Sequence, residues 1–389
     1  MMLNHLIDYI NLDSLFKEDE LKLRDYVRAF VEKELNPIID EHFANGTFPL
    51  EIVKELGKNK FIGSFIKGYS CAGYNPVKHG IICQEIERGD GGIRSFLTTQ
   101  DTLSMFAIYK YGDERQKNKY LPKMAKGEII GCFGLVEEKA TSNPIQMTTT
   151  AIKDGNRWII NGKKKWITNA TIADICIVWA KTNDGIKGFI VEMDSQGVEI
   201  EKINSNISLR STITAGISFN DVSVKESCRL PFANGLKAPL SCLTEIRYGM
   251  AWGAIGAAVE CYTLALNFAK EEILFGRPVA SSQLVQRKLV NMLTEITKAR
   301  AITIQVAKEK EKKNNFRHEM VAMIAYNNLT KALDIAREAK EIYGIHGITV
   351  ESKIIRHLLN LESINSYEGI NDIYILIVGR DITGFQAFF

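Results

Sequence analysis

Apolar side chains recur at helical spacing from residue 1 to about residue 130. Leu23, Val27 and Phe30 follow one another at steps of four and three. This spacing predicts an amphipathic helix, which we expect to end before Pro37 because a proline disfavours helical backbone in the residue that precedes it. Similar patterns predict further helices at about 50–57, 77–88 and 97–111.

The region from about 131 to 235 changes to short apolar runs separated by glycine and asparagine. Residues 151–152 and 158–160 flank Asp154-Gly155-Asn156, a sequence typical of a hairpin turn. Further strands are predicted at about 175–179, 188–192 and 217–224. Strands that follow one another without intervening helices predict an antiparallel sheet.

Helical spacing returns from about residue 240. Two long series alternate steps of four and three, one from Val285 to Val306 and the other from Val321 to Tyr343. They predict two long amphipathic helices within a helical bundle. The predicted fold class is therefore α+β, with an N-terminal helical domain (1–130), a middle antiparallel β domain (131–238) and a C-terminal helical domain (239–389).

Composition and charge narrow the classes of function. The chain has 389 residues, of which 46% are hydrophobic and 24% charged, as in ordinary globular proteins. A net charge of +3 favours neither a nucleic acid nor a membrane surface as a partner. The longest apolar region, about 251–266, is interrupted by Glu260 and falls short of the roughly 20 residues that span a bilayer. Without a signal-peptide pattern, a cytoplasmic location is expected.

The common motifs of phosphate, dinucleotide and hydrolase sites are missing. The seven cysteines and six histidines show no CxxC, HxH or HExxH spacing, so the sequence predicts no metal site. No GxxxxGK[ST] or GxSxG motif occurs, and the glycines of 89–92 do not complete GxGxxG. A Rossmann-type or P-loop site is therefore disfavoured.

Several longer segments share the motifs of one family. They are GCFGL (131–135), KWITN (165–169), RYGMAWG (247–253), QLVQRKLVNMLTE (283–295), RHLLNLESINSYEGINDI (356–373) and GRDITGFQA (379–387). In these segments the chain resembles the acyl-CoA dehydrogenases, most closely the glutaryl-CoA dehydrogenases. The resemblance implies helical, β and four-helix-bundle domains in that order, and a homo-oligomer (dimer or tetramer) with FAD at the subunit boundaries.

The resemblance places the catalytic base at Glu368, within Tyr367-Glu368-Gly369. In the family this glutamate removes the α-proton of an acyl thioester while a hydride leaves the β-carbon for FAD. The thioester carbonyl must be polarised as the base acts, because an α-C–H is a weak acid. Taken without the surrounding match, this short motif leaves open that Glu368 is a helix-capping carboxylate beside Gly369.

Arg94 matches the arginine that holds the distal carboxylate of the substrate in glutaryl-CoA dehydrogenases. A guanidinium suits this role because it offers a carboxylate two parallel hydrogen bonds. The alternative is a surface salt bridge with Glu87 or Asp90. An anchored carboxylate implies a dicarboxylic acyl group and permits loss of CO₂ after oxidation. The further substrate-binding residues implied are Glu87, Ser95, Thr98, Arg247 and Tyr367.

The predicted flavin contacts are partly kept and partly changed. The resemblance implies that Trp166 covers the flavin ring and that Thr168 forms a hydrogen bond near flavin N5. Its other implied FAD contacts are Phe133, Leu135, Ser142, Phe275, Gln283, Gly344 and Gly347. The departures are Val136 and Ile370 in place of threonines, Ile345 in place of a glycine, and Glu272 in place of the arginine that meets the FAD pyrophosphate.

Three functions stay open on the sequence. The first is FAD-dependent oxidation of a dicarboxylic acyl thioester, carried on CoA or on an acyl carrier protein, with electrons passed to a separate electron-transfer partner. The second is a flavin-free decarboxylase, isomerase or other proton-transfer catalyst on the same scaffold. The third is a non-catalytic binder of thioesters or carrier proteins.

Overall fold

The computed structural model describes residues 7–141, 143–312, 316–366 and 371–386. The helices of the N-terminal part are α1 (Glu18–Phe30), α2 (Asn36–Asn45), α3 (Glu51–Lys58), α4 (Pro76–Gly89), α5 (Gly91–Thr98), α6 (Phe106–Tyr111) and α7 (Glu114–Ala125). The sheet contains β1 (Gly131–Gly134), β2 (Thr150–Asp154), β3 (Arg157–Thr168), β4 (Ile175–Thr182), β5 (Gly185–Glu192), β6 (Val198–Lys202) and β7 (Thr214–Lys225).

The C-terminal part begins with a long helix and a small hairpin. Its elements are α8 (Lys237–Glu271), β8 (Ile273–Leu274), β9 (Arg277–Pro278), α9 (Gln283–Lys312), α10 (His318–Tyr343), α11 (Lys353–Ile364) and α12 (Asn371–Thr383). The two predicted series of alternating steps lie on α9 and α10, and both bury their apolar faces. The predicted order of helices, sheet and helices is confirmed.

The first helix ends before Pro37, as predicted, but the chain does not leave helical backbone there. The chain stays helical from α1 into α2 through a wide, π-helical turn at Val31–Leu35. Pro37 lies in the first turn of α2. A proline costs no hydrogen bond at that position, because the first N–H groups of a helix have no partner within it. The proline therefore marks a new helix start rather than a break in the helical path.

The sheet is mostly antiparallel, with strand order β1-β4-β2-β3-β7-β6 and β5 beside β4. The predicted hairpin is confirmed, because β2 pairs with β3 and Asp154 faces Arg157 across the turn. Gly155 in that turn has φ +56°, a conformation that favours glycine. β1 departs from the prediction, since it pairs with β4 in parallel.

Helix α8 crosses the core shared by the N- and C-terminal helices. It is long and apolar enough to span a bilayer, but 89% of its most apolar window is buried inside the fold. Its Glu260, which interrupts the apolar run, accepts a hydrogen bond from Arg88 Nε of α4 at 2.9 Å. The charge is therefore paired within the protein, and the helix packs against α4 and α10 as a core element.

Candidate active site

Asp90 fixes the start of α5, the helix that carries Arg94. Its carboxylate accepts hydrogen bonds from the backbone N–H groups of the first turn at 2.7 and 3.2 Å. It also accepts hydrogen bonds from the Ser211 hydroxyl and from Asn360 Nδ2. Burial raises the pKa of Asp90, and the hydrogen bond from Ser211 opposes this rise. One cap thus joins α5 to the loop before β7 and to α11.

Arg94 lies one turn further along α5, in a buried polar cluster. Its Nε donates to Glu87 Oε2 at 2.5 Å, and its Nη1 donates to the Thr98 hydroxyl at 3.1 Å. Arg94 and Glu87 are each 1% exposed. Burial raises the pKa of Glu87, and the charge of Arg94 opposes the rise. The predicted pairing with Glu87 is present, but it lies inside the protein rather than on its surface.

Three of the predicted substrate residues therefore surround Arg94. Ser95 is buried beside it, and its backbone carbonyl accepts a hydrogen bond from the Thr98 hydroxyl at 3.3 Å. Arg247 takes a different place, because it lies on α8 over the ring of Tyr374, 5.3 Å from the ring centroid. In the described structure Arg247 therefore packs against α12.

The segment that contains Tyr367, Glu368 and Ile370 lies outside the described residues, as does Ser142. The residues that flank it are held together, since Asn371 Nδ2 donates to Asn365 Oδ1 at 2.7 Å. Asn371 Nδ2 also donates to the Thr330 hydroxyl of α10 at 3.2 Å. The described residues on either side of the segment are therefore anchored to the helical bundle.

Helix α11, which leads to that segment, is tied to the end of α4 and to the cap of α5, where Arg356 Nε lies 3.3 Å from Asp90 Oδ2. The Arg356 guanidinium donates to the Gly89 carbonyl through Nη2 at 3.0 Å, and it also pairs with Asp40. Asn360 Oδ1 accepts a hydrogen bond from the Leu209 N–H at 2.8 Å. Sequence reasoning did not predict these contacts, because the two residues in each of them lie more than a hundred positions apart. It joins the helix of Arg94 to the helix that precedes Glu368.

Trp166 lies at an irregularity of the sheet. The register of β3 against β7 shifts between Lys164 and Ile167, and Trp166 has φ +62°. The bulge leaves its side chain 47% exposed. Thr168, at the end of β3, pairs with Thr214 and is half-buried. An exposed indole and a nearby hydroxyl at one end of β3 offer a surface for a planar aromatic ligand.

Glu137 holds the loop after β1 in place. Its carboxylate accepts hydrogen bonds from the backbone N–H and hydroxyl groups of both Thr148 and Thr149, at 2.6 to 3.0 Å. Lys164 Nζ donates to Glu137 at 2.9 Å and to the Leu135 carbonyl at 3.1 Å. Burial raises the pKa of Glu137, but the Thr149 hydroxyl and the other donors lower it to about 2.

Asn169 links the Arg94 helix to the strand that precedes this loop. Its Nδ2 donates to the Phe96 carbonyl of α5 at 3.5 Å and to the Gly131 carbonyl of β1 at 3.4 Å. Phe133 and Leu135, which follow Gly131, are buried at 6% and 2% exposure. The predicted substrate helix and the predicted flavin strands therefore meet at one asparagine, which sequence reasoning missed.

The remaining predicted flavin contacts lie in the C-terminal part of the chain. Phe275, at the tip of the β8–β9 hairpin, is 96% exposed. Gln283 and Gly344 are also exposed, at the start of α9 and the end of α10. Gly347 is buried, and a Cβ there would lie 2.9 Å from the Lys340 carbonyl oxygen. Gly347 thus has a packing role in the described structure.

The β8–β9 hairpin carries two opposite charges on one face. Leu274 faces Arg277 across the hairpin, and the Val279 N–H donates to the Glu272 carbonyl at 2.9 Å. Since side chains alternate along a strand, Glu272 and Arg277 project from the same face. Both are exposed. A cation therefore accompanies the glutamate that replaces the expected arginine.

Comparisons with known proteins give the family. Models of the acyl-CoA dehydrogenase N-terminal, middle and C-terminal domains match residues 17–128, 132–222 and 233–383. A 3-(aryl)acrylate reductase of Clostridium sporogenes is 32% identical over 374 residues, covering 94% of this chain and 99% of that protein. An acyl-CoA dehydrogenase of Bacillus subtilis is 30% identical over 376 residues, covering 94% and 98%.

Solved structures agree with the sequence relatives. A glutaryl-CoA dehydrogenase from Mycobacterium smegmatis in complex with FADH2 superposes with TM-score 0.97 at 41% identity, covering 99% of both chains. A glutaryl-coenzyme A dehydrogenase in complex with glutaryl-CoA superposes with TM-score 0.91 at 28% identity, covering 95% of this chain and 96% of that chain. The chain belongs to the acyl-CoA dehydrogenase family of oxidoreductases, which act on CH–CH groups.

Proposed function

We propose that the protein is an FAD-dependent dehydrogenase that oxidises the Cα–Cβ bond of a glutaryl-CoA-like dicarboxylic thioester. The observation that carries the proposal is the buried Arg94, held by Glu87 and Thr98 on a helix that is tied to α11. A permanent cation inside a protein is costly unless it is paired. Its placement next to the helix that leads to Glu368 supports a role in holding an anionic group of the substrate.

Arg94 and Glu368 would have separate roles in the reaction. Arg94 would hold the distal carboxylate, which fixes the acyl chain along its length. Glu368 would then take the proton from the α-carbon, since a carboxylate within hydrogen-bond reach is a competent general base. Bound FAD would supply the oxidising power by accepting the β-hydrogen as hydride. The reduced cofactor would pass its electrons to a separate electron-transfer protein.

Several features support FAD as the cofactor. Trp166 presents a partly exposed ring, and Thr168 offers a hydroxyl at the end of the same strand. Val136, which lacks the expected hydroxyl, has its carbonyl bonded to the Lys165 N–H at 3.0 Å, so the loop backbone is held without that side chain. Arg277 lies on the same hairpin face as Glu272, where it would meet a pyrophosphate in place of the missing arginine.

Exposed apolar residues support a homo-oligomer. Phe275, Leu274 and Ile345 are 96%, 57% and 70% exposed. Large exposed apolar groups that cluster on a soluble protein often mark an interface. A second copy of the chain that covers the hairpin would bring Phe275 and Gln283 into a flavin site formed between subunits. Light scattering of the purified protein tests this directly, because a monomer would contradict the proposal.

The test of the function is a substrate comparison with FAD-loaded protein and an artificial electron acceptor. We expect glutaryl-CoA to be oxidised far better than butyryl-CoA, which has no distal carboxylate. Replacing both members of the buried pair (Glu87→Gln with Arg94→Met) should lower kcat/KM for glutaryl-CoA by about 10²-fold or more, because a desolvated charge pair is lost. Butyryl-CoA turnover should change little.

Mass analysis of the product then separates the possible reactions. A glutaconyl thioester indicates oxidation alone, and a crotonyl thioester indicates oxidation followed by loss of CO₂. Equal losses for both substrates in the paired variant would contradict the role of Arg94. Glu368→Gln should abolish turnover while leaving flavin absorbance intact.

A flavin-free catalyst on the same scaffold is the second candidate, and Glu272 is the observation that favours it. This exposed carboxylate stands where the family's arginine meets the pyrophosphate, and like charges repel. Purified protein that takes up no flavin, even from excess FAD, yet releases CO₂ from glutaconyl-CoA or exchanges the α-protons of glutaryl-CoA would establish this function and exclude the first.

A further inference from the structure

Helix α8 approaches α4 and α5 through a row of glycines. A Cβ built on Gly253 would lie 1.9 Å from Glu87 Oε2 and 3.2 Å from Arg94 Nε. One turn further, a Cβ on Gly256 would lie 1.9 Å from the backbone carbonyl oxygen of Gln84. The two glycines therefore make equally close approaches, but to different kinds of group.

The nearest neighbours of a side chain at position 253 would be parts of the buried ion pair. The three atoms nearest to its virtual Cβ are the Oε2 and Cδ of Glu87 and the Nε of Arg94. At 1.9 and 2.8 Å, the two Glu87 atoms lie closer than a methyl group and a carboxylate can stand without repulsion. The observed position of the Glu87 carboxylate, and with it the 2.5 Å bond to Arg94, requires that residue 253 lack a side chain.

The geometry points to Gly253 as a positioning residue for substrate specificity: it makes the recess in which Glu87 holds Arg94 toward the distal carboxylate of the acyl group. This inference rests on the function proposed above. Gly253 touches neither the substrate nor the reacting atoms and acts only through Glu87 and Arg94. A methyl group at 253 would push the carboxylate aside and carry the guanidinium with it.

A helix-packing glycine would behave differently from a positioning glycine. Alanine is the better helix former, so Gly253→Ala carries no intrinsic penalty for α8 itself. Its conflict is with two side chains of the proposed site. Gly256→Ala is the matched control, because its conflict is with the α4 backbone and lies one turn from the ion pair.

The experiment measures kcat and KM of FAD-loaded wild type, Gly253→Ala and Gly256→Ala with glutaryl-CoA and with butyryl-CoA. A displacement of about 1 Å can cost roughly 10²-fold in rate. We expect Gly253→Ala to lose about this much in kcat/KM for glutaryl-CoA, mainly through KM, and to keep most of its butyryl-CoA activity. Gly256→Ala should affect both substrates to the same degree.

A compensating variant distinguishes displacement from general damage. Glu87→Asp withdraws the carboxylate by one methylene and keeps its charge, which gives room for a methyl group at 253. The double variant Gly253→Ala with Glu87→Asp should therefore use glutaryl-CoA better than Gly253→Ala alone. The same change should not rescue Gly256→Ala. If Gly253→Ala does not fold, recovery of the folded protein in the double variant supports the inference and its absence overturns it.

The two failures are distinguishable by the wild type. A wild-type enzyme without preference for glutaryl-CoA over butyryl-CoA overturns the proposed function, and the inference with it. A selective wild type in which Gly253→Ala and Gly256→Ala lose activity alike on both substrates, with no rescue by Glu87→Asp, overturns the inference alone.

Discussion

Removing Arg94 without Glu87 should leave an unpaired carboxyl group inside the protein. Both side chains are 1% exposed and are joined at 2.5 Å. Breaking a buried pair by removing one partner costs about 3–5 kcal/mol, whereas replacing both partners with neutral groups of similar size is often close to neutral. We therefore expect Arg94→Met to unfold about 3–5 kcal/mol more easily than wild type at pH 8, and Glu87→Gln with Arg94→Met to recover most of that loss.

The stability of Arg94→Met should depend on pH through the pKa of Glu87. Burial already raises the pKa of Glu87 above its ordinary value, and the charge of Arg94 works against that rise. Without Arg94 the pKa of Glu87 rises further, so the folded variant binds a proton that the unfolded chain releases. Its stability should fall as the pH rises from the unfolded-state pKa of Glu87 to the folded-state value. The deficit of Arg94→Met should accordingly shrink between pH 8 and pH 5.

The assay is urea unfolding followed by circular dichroism and by the fluorescence of the four tryptophans. It is run at pH 8 and pH 5 on wild type, Arg94→Met, Glu87→Gln and the double variant. The coupling free energy of the cycle isolates the ion pair from the loss of packing. A deficit of Arg94→Met that is the same at both pH values, with no recovery in the double variant, would refute the reasoning.

Three further predictions concern other buried or exposed carboxylates. Asp101 is fully buried, accepts a hydrogen bond from the Gly63 N–H at 2.7 Å and has a pKa raised by burial. Because the neutral amide avoids the cost of a buried charge, Asp101→Asn should stabilise the protein by roughly 1–3 kcal/mol at pH 8 and by much less at pH 4. Equal melting temperatures at pH 8 would contradict this. Glu137 has a pKa lowered to about 2, so its stabilisation is present above its unfolded-state pKa and is lost as the pH falls toward 2. Glu137→Gln should therefore lower the melting temperature by clearly more at pH 7 than at pH 3, and a constant difference would count against it. Glu272→Arg should tighten FAD binding and Arg277→Ala should weaken it, as measured by quenching of flavin fluorescence. Changes in FAD affinity that are absent or of opposite sign would show that the hairpin does not meet the pyrophosphate.

Local features of the fold were predictable from the sequence, and distant pairings were not. The hairpin at Gly155 was predicted because its turn residues and flanking strands lie within a few positions of each other. The parallel pairing of β1 with β4 was missed because the paired residues, such as Gly131 and Ile175, are 44 positions apart. The helix that begins at Asn36 was not predicted, because proline, which breaks a helix interior, is also suited to a helix start.

The same contrast between local features and distant contacts holds for the proposed site. The motif around Arg94 indicated which residue to watch, but not how deeply it lies or which acid it contacts. The sequence left both Asp90 and Glu87 open as partners of Arg94. The structure separates them, because the Asp90 carboxylate is occupied as the cap of α5 and Glu87 faces Arg94. Gly253 carried no signal of its own, because its effect depends on two side chains in other helices.

The changed flavin contacts have a common physical character that favours a working cofactor site. Val136 has lost a hydroxyl, but its backbone carbonyl keeps its bond to Lys165, and the Glu137 carboxylate holds the loop through groups that the valine does not touch. The backbone that would face a flavin is therefore positioned independently of the altered side chain. At the hairpin, a charge is reversed at Glu272, and an arginine stands on the same face at 277. Arg277 can therefore offset part of the repulsion from Glu272, because the field on a pyrophosphate depends on the distance of each charge and not on which strand supplies it.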